Sequence, residues 1–197
     1  MRYSITVTPV AGDPFEVLAT ASKYSVNAND DRGTLRESVR FRFDASMGTV
    51  SLGYSIEFEG QTWVVRDAQL FRSARRIVVD ADRESLDHSR CECVDIYMWE
   101  TDNDCNAKIY PKLWKENVLV SVVESARRTV SIHDTQRTVT DYRVYMEQDL
   151  ARQLNGRTLI RGKRDLKING ISGLDVPGKL ATADAVVQQA KLNQEAG

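Results

Sequence analysis

Apolar and polar residues alternate in many short segments of this chain, and a period of two is typical of half-buried β-strands. The alternating segments of the first half are 4–10, 39–43, 54–58, 61–67 and 75–81. Those of the second half are 118–123, 129–132, 141–146, 157–161 and 165–168. Turn residues at Glu59-Gly60 and at 162–164 separate adjacent segments and predict hairpins. We therefore expect a mainly β fold with two small antiparallel halves, each barrel-like or sandwich-like.

Three stretches depart from this alternation. Residues 181–192 are rich in helix formers, with Thr182 and Asp184 near a capping position, and predict a short C-terminal helix. Residues 27–37 are polar, contain a glycine and predict an exposed loop. Residues 85–116 combine charged and aromatic residues, and we interpret them as a connection. The expected domains are an N-terminal β domain at 1–84, the connecting segment at 85–116 and a C-terminal β domain with the terminal helix at 117–197.

The two halves align with each other at an offset of 102 to 103 residues. The alignment matches 39–43 with 141–145, 53–60 with 156–162, and 63–65 with 166–168. Gly53 and Gly156 precede the hairpin strands, where positive φ would allow a sharp turn. Alternation in the first hairpin predicts a common core for Ile56, Phe58, Trp63 and Val65, with Glu57, Glu59 and Thr62 facing outward. Either a tandem duplication or a pattern shared by small barrels explains the match.

The charge balance, the apolar runs and the number of cysteines exclude some classes of protein. The chain has 27 basic and 28 acidic residues, for a net charge of -1, which argues against a strongly basic nucleic-acid binder but leaves room for a local basic patch. No apolar run reaches the roughly 18 residues of a membrane helix, and the N-terminus lacks the apolar stretch of a signal peptide. Three cysteines, an odd number, suit a reducing compartment.

Two segments partly match known motifs, one for a phosphate-binding loop and one for a metal site. Gly173 to Lys179 reads G-x-x-x-x-G-K, but Leu180 stands where a phosphate-binding loop has Ser or Thr, and the alternative is a turn containing glycine and proline. Four soft ligands also lie close in sequence, at His88, Cys91, Cys93 and Cys105. They lack the second close pair of a zinc site, and buried core cysteines are the alternative. We predict no catalytic residue, no metal ligand and no cofactor.

Residues 53–67 resemble the hairpin of phage head–tail connector proteins. This family of head closure (stopper) and adaptor-like neck proteins often shows the pattern G-D-x-I-x-x-x-G-x-x-Y/W-x-V. Here Tyr54 replaces the Asp, and Leu166 occupies the aromatic position of the second copy. The resemblance implies a non-enzymatic virion protein, made in the host cytoplasm, that forms a ring of about six or twelve copies. The ring would join portal or adaptor proteins to tail proteins and line the passage of viral DNA.

Exposed aromatic residues are candidates for subunit contacts in such a ring, since Trp and Tyr are favoured in interface cores. The candidates are Trp99, Tyr110 and Trp114. The alternative is that they fill the core of their own chain. The loop expected at 27–37 would become ordered on assembly.

Five arginines in two clusters are candidates for facing DNA phosphates in the lumen of the ring. They are Arg72, Arg75, Arg76, Arg127 and Arg128. The alternative is a solvated face whose arginines pair with nearby carboxylates.

Other functions stay open at this point. One is a small-barrel binding module for a peptide or nucleic acid, and another is a non-enzymatic tail-tube or baseplate protein. A further one is an enzyme that uses a metal held by Cys91, Cys93 and Cys105.

Overall fold

The computed structural model describes residues 1–29, 32–99, 111–132, 135–156 and 158–187. It contains 68% strand and 6% helix, which confirms the prediction of a mainly β fold. The chain divides into two compact units, each of which includes a short segment from the other half of the sequence. The first unit comprises Met1–Asp30, Thr34–Ser85 and Asp175–Leu180, and the second comprises Asp31–Gly33, Leu86–Leu174 and Ala181–Gly197.

The first unit contains a closed six-stranded barrel with the strand order β1-β2-β3-β6-β5-β4. Its strands are β1 (Tyr3–Thr8), β2 (Phe15–Asn29), β3 (Thr34–Asp44), β4 (Ser55–Phe58), β5 (Gln61–Phe71) and β6 (Arg76–Leu86). The antiparallel pairing of β1 with β4 closes the barrel and places Val7 opposite Ile56. The predicted turn at Glu59-Gly60 joins β4 to β5, and both of its residues have positive φ, as a tight hairpin with right-handed twist requires.

The second barrel is also closed, with the strand order β10-β11-β12-β9-β8-β7. Its strands are β7 (Glu92–Trp99), β8 (Pro111–Ile132), β9 (Thr135–Met146), β10 (Thr158–Arg161), β11 (Asp165–Ser172) and β12 (Ala181–Val187). A short helix, α1 (Gln148–Ala151), follows β9. The predicted hairpin at 162–164 joins β10 to β11 and places Arg161 opposite Asp165.

The two barrels repeat one topology, because the order of β7 to β12 around the second barrel matches that of β1 to β6 around the first. Irregularities in strand pairing repeat as well. The register shifts at 23–25 in β2 and 65–67 in β5 have counterparts at 124–126 in β8 and 168–170 in β11, whereas those at 94–97 in β7 have no counterpart in β1. Bulges bend and twist a strand, and repeated bulges at corresponding corners are one way in which a sheet closes into a barrel. The match in bulge positions therefore supports an internal repeat.

The internal alignment needs a shift of one residue in its first segment. The buried hydrophobic residues of β3 are Val39, Phe41 and Phe43, and those of β9 in the described chain are Tyr142, Val144 and Met146. The buried positions of β3 and β9 therefore differ by 103 residues, whereas the sequence alignment matched 39–43 with 141–145 at an offset of 102. Gly53 has the expected positive φ, whereas Gly156 does not.

Alternation places the core of the first barrel where the sequence predicts it. The four expected residues, Ile56, Phe58, Trp63 and Val65, are at most 5% exposed and belong to one cluster. Of the residues expected to face outward, Glu57 and Glu59 are exposed and Thr62 is half-buried. The second barrel has its own core cluster, which includes Ile96, Val144, Ile160, Leu166 and Ile168.

The prediction of a C-terminal helix at 181–192 is wrong over 181–187, which form β12. Ala181, Ala183 and Ala185 are buried in the barrel and alternate with more exposed residues. Packing on a pleated surface has here overridden the helix propensity of alanine. Residues 188–192 lie outside the described part of the chain.

Two further expectations are corrected. The predicted loop at 27–37 is largely the end of β2 and the start of β3, whose backbones pair up to Asn29 and Thr34. The predicted connecting segment at 85–116 contains β7 and the start of β8, which are strands of the second barrel. Within the described residues, no helix is long and apolar enough to cross a membrane.

Candidate assembly surface and arginine pocket

The hairpin of β8 and β9 extends beyond the strands that flank it in the second barrel. β7 pairs with β8 only up to Val120, and β12 pairs with β9 only over 141–146. Residues 127–132 and 135–140 pair with each other, and no third strand of the described chain pairs with them. We call this two-stranded segment the ribbon arm.

Most of the ribbon-arm side chains that the structure describes are exposed. Arg127, Arg128 and Thr129 are all exposed, as are Gln136 and Thr138 on the partner strand. An isolated two-stranded ribbon is marginally stable in water, because it has no third element on which to bury a face. Its outer backbone N–H and C=O groups are also free to pair with another strand. The ribbon arm therefore has the features of a segment that another chain completes.

Two of the five candidate arginines lie on the ribbon arm, and both have carboxylate partners. Arg127 pairs with Glu124, with one nitrogen–oxygen distance of 3.1 Å, and Arg128 Nε lies 3.1 Å from an oxygen of Asp141. The hydrogen bond from Arg127 lowers the pKa of Glu124. These contacts favour the alternative of paired surface charges for this cluster.

The candidate interface aromatics fall on β7 and β8. Trp99 ends β7 and is half-buried, while Trp114 on β8 is 37% exposed. The ammonium of Lys115 lies 5.8 Å from the centroid of the Trp114 ring, a cation–π distance. Tyr110 lies outside the described residues.

The other arginine cluster contributes to a surface pocket of the first barrel. Arg75 and Arg76 line a cavity of about 350 Å³ together with two further arginines, Arg2 and Arg42. The third candidate, Arg72, lies in the preceding 3₁₀ turn and is exposed, but does not line the cavity. We call the group of Arg2, Arg42, Arg75 and Arg76 the arginine pocket. Arg2 and Arg42 were missed from the sequence, where they are far from each other and from the cluster.

Two 3₁₀ turns hold the rim of the arginine pocket. Asp44 caps the first turn (Ala45–Met47) by accepting hydrogen bonds from the Ser46 amide at 2.8 Å and hydroxyl at 2.7 Å. The second turn (Arg72–Ala74) ends at Arg75, and the Ala45 amide donates to the Arg75 carbonyl at 2.8 Å. Arg75 has φ 47° and ψ 42°, a left-handed conformation that is uncommon for residues other than glycine.

The charges of the arginine pocket are not neutralised by ion pairs. Within the described residues, no carboxylate lies within 4.0 Å of the guanidinium nitrogens of Arg2, Arg42, Arg75 or Arg76. Asp44 is the one acidic residue among those that line the cavity. Hydrogen bonds from Ser46, aided by the charges of Arg75 and Arg2, lower its pKa. The pocket is therefore a strongly positive concavity in a chain of almost balanced charge.

The G-x-x-x-x-G-K segment packs on the first barrel. The Glu84 amide donates to the carbonyl of Gly178 at 2.7 Å, and the Lys179 ammonium pairs with the Glu84 carboxylate. Next to it, the buried Asp82 accepts hydrogen bonds from Ser38 and Arg36, each at 2.7 Å. A strand, β12, follows the segment, whereas a phosphate-binding loop precedes a helix. These contacts favour the alternative of a turn.

Substitution of Gly178 by alanine should lower the free energy of unfolding by about 1–3 kcal/mol. Gly178 has φ +66°, and an added Cβ would lie 2.9 Å from Val64 Cγ2 and 3.2 Å from the Asp82 carbonyl. Gly60→Ala is the matched control, since its φ of +70° is similar but nothing lies within 4 Å. Urea unfolding should show a larger loss for Gly178→Ala, and equal losses would contradict the close packing of this turn.

The cysteines and histidines do not assemble into a metal site in the part of the chain that is described, where no group of three or more potential ligands occurs. His88 and Cys93 are exposed and Cys91 is half-buried. Cys105 and His133 lie outside the described residues. Burial, aided by the charges of Asp87 and Cys93, raises the pKa of the Cys91 thiol to about 11.

Cys91 should react with iodoacetamide much more slowly than the exposed Cys93. At about pH 8 a thiol with this raised pKa is ionised to roughly one part in a thousand, and the thiolate is the reactive form. Site-resolved mass spectrometry over time measures both rates in one sample. The rate at Cys91 should keep rising with pH towards about 11, whereas equal rates at about pH 8 would contradict the burial of its sulfur.

Comparisons with protein-family models, curated proteins and solved structures find no match to this chain. The resemblance of residues 53–67 to phage connector proteins thus stays a prediction.

Proposed function

We propose that this chain is a structural subunit of a tailed-phage virion, a neck protein that forms a ring and joins head to tail. In this proposal it acts through interfaces with copies of itself and with portal, adaptor or tail proteins, not through catalysis. The ring surrounds the passage of viral DNA. The resemblance of residues 53–67 supplies the phage assignment, and the ribbon arm supplies the means of assembly.

The single observation that carries the proposal is the unpaired outer edge of β8. From 122 to 132 this edge has no strand partner in the described chain, because β7 ends its pairing at Val120. Such an edge pairs readily with a strand of a neighbouring molecule. Charged residues such as Glu124 and Arg127 on the same strand oppose unselective pairing and so favour a defined partner.

The two barrels provide rigid bodies on which such a contact can be placed. Each is closed, and each has its own buried core. Exposed Trp114 adds an apolar surface on β8, the strand that also forms the ribbon arm. A ring built through repeated head-to-tail contacts needs two different surfaces on each subunit, and the ribbon arm is proposed as one of them.

The native mass of the purified protein tests this proposal, with negative-stain images of the same sample. We expect a closed ring of about six or twelve chains, each of 22.2 kDa. A monomer at every protein concentration tested would contradict self-assembly into a ring. A twofold dimer would also contradict it, because a dimer closed by one self-complementary surface has no second surface with which to extend.

A further inference from the structure

The arginine pocket differs from the other charged surfaces of this chain. Elsewhere, arginines such as Arg36, Arg40 and Arg83 have carboxylate partners within ion-pairing distance. The four arginines of the pocket have none within the described residues, although they line one cavity. Four guanidinium groups that gather in a concavity with the single carboxylate of Asp44 leave an excess of positive charge, so an anion bound there would reduce their mutual repulsion.

Several guanidinium groups in one cavity suit a ligand that carries more than one negative charge. The four arginines come from three parts of the first unit, since Arg2 precedes β1, Arg42 lies on β3, and Arg75 and Arg76 lie where β6 begins. The lining residues Leu18 and Met47 are 50% and 39% exposed, which leaves the cavity accessible to a large ligand. Arginine forms planar, bidentate hydrogen bonds with phosphate oxygens.

We propose that the arginine pocket binds consecutive phosphates of a nucleic-acid backbone. Among the residues that the structure describes, no carboxylate forms an ion pair with these four arginines, which leaves each guanidinium available to a phosphate. Contacts to the backbone alone give affinity without sequence preference. The identification of this ligand with the DNA inside the ring rests on the proposed function, whereas the pocket itself belongs to the first unit alone.

The backbone at Arg75 agrees with a binding role for its side chain. A left-handed φ is better suited to glycine, and conformations of this kind in other residues are often retained at functional sites. Arg75→Gly should therefore fold at least as well as the parent chain and bind nucleic acid less tightly. A binding loss without a loss of thermal stability would not arise from a merely structural role.

The test is the binding of a fluorescently labelled duplex DNA to the full chain, measured by anisotropy at several salt concentrations. The variant Arg75→Gln/Arg76→Gln removes two charges of the pocket. The control Arg143→Gln/Arg152→Gln removes two charges of ion-paired arginines in the second unit. Each phosphate contact contributes about 0.9 to the salt slope, so at about 0.1 M salt the pocket variant should bind roughly sixtyfold more weakly.

Each outcome decides the proposal. A weaker affinity and a slope lower by about two in the pocket variant alone would support it. Equal losses in both variants would overturn it, since net charge would then explain the binding, and so would a parent chain that binds no DNA. Thermal stabilisation by inorganic phosphate that requires Arg75 and Arg76, without DNA binding, would assign the pocket to a small phosphate instead.

The same samples keep this proposal separate from the proposed ring, because the native mass is measured for each. Pocket-dependent DNA binding by a monomer would support the pocket and contradict the ring. A ring that binds DNA equally well with and without the charges of Arg75 and Arg76 would support the proposed ring and contradict the proposed role of the arginine pocket.

Discussion

Replacing Phe41 with alanine should lower the free energy of unfolding of the first barrel by about 3–5 kcal/mol. Phe41 is 0% exposed and packs edge-to-face on Phe58, with ring centroids 5.3 Å apart and planes at 86°. Removing the ring takes away its apolar burial and leaves a cavity that the closed barrel can only partly collapse to fill. The edge-to-face contact adds to the loss.

Phe71→Ala is the matched control, because Phe71 lies at the end of β5 and is 47% exposed. Its substitution should change the stability by no more than about 0.5 kcal/mol. Two units need not unfold in one step, so the readout must come from the first unit alone. Trp63 is buried there, and the background Trp99→Phe/Trp114→Phe makes it the single tryptophan of the chain. Similar urea midpoints for both phenylalanine variants would contradict the placement of Phe41 in the core.

The first hairpin shows what the sequence alone could predict. Ile56, Phe58 and Trp63 alternate with polar residues, and a turn of two residues with positive φ fixes the register between the strands. Local rules therefore determine both the pairing and the buried face. The identity of the strands that close the barrel, such as the pairing of Val7 with Ile56, depends on contacts far apart in sequence.

The predictions that failed did so where burial and propensity disagree. β2 was not recognised over 15–29, because Leu18 faces outward and the alternation is broken by the bulge near Lys23. Ala181, Ala183 and Ala185 suggested a helix, but small side chains suit the crowded face that they occupy in the second barrel.

The two candidate surfaces were predictable to different degrees. Arg75 and Arg76 are adjacent in sequence and stood out as a basic cluster, whereas Arg2 and Arg42 join them only through the folding of the first barrel. The sequence predicts β8 as two separate short segments, 118–123 and 129–132, since 124–128 interrupt its apolar pattern, and it predicts no strand at 135–140. Backbone pairing with β9 continues the strand through Arg127, Arg128 and Thr129, whose side chains are exposed.

Removal of the ribbon arm should convert the proposed ring into monomers. Replacing 127–140 with Asn-Gly connects Ala126 to Asp141, its register partner in the β8–β9 hairpin, through a two-residue turn. Asn-Gly favours the same type of tight turn that Glu59-Gly60 forms in the first barrel. The second barrel keeps every pairing of β9 with β12, so its fold should survive, as circular dichroism would verify.

A second variant separates backbone pairing from charge as the basis of the contact. Arg127→Ala/Arg128→Ala keeps the ribbon arm but removes its ion pairs with Glu124 and Asp141. Exposed ion pairs contribute about 0–1 kcal/mol, whereas a strand pairing supplies a row of hydrogen bonds. This variant should therefore retain the native mass of the ring, and the shortened chain should lose it. If the shortened chain instead forms the same ring, assembly does not use the ribbon arm, and the surface around Trp114 becomes the contact to test.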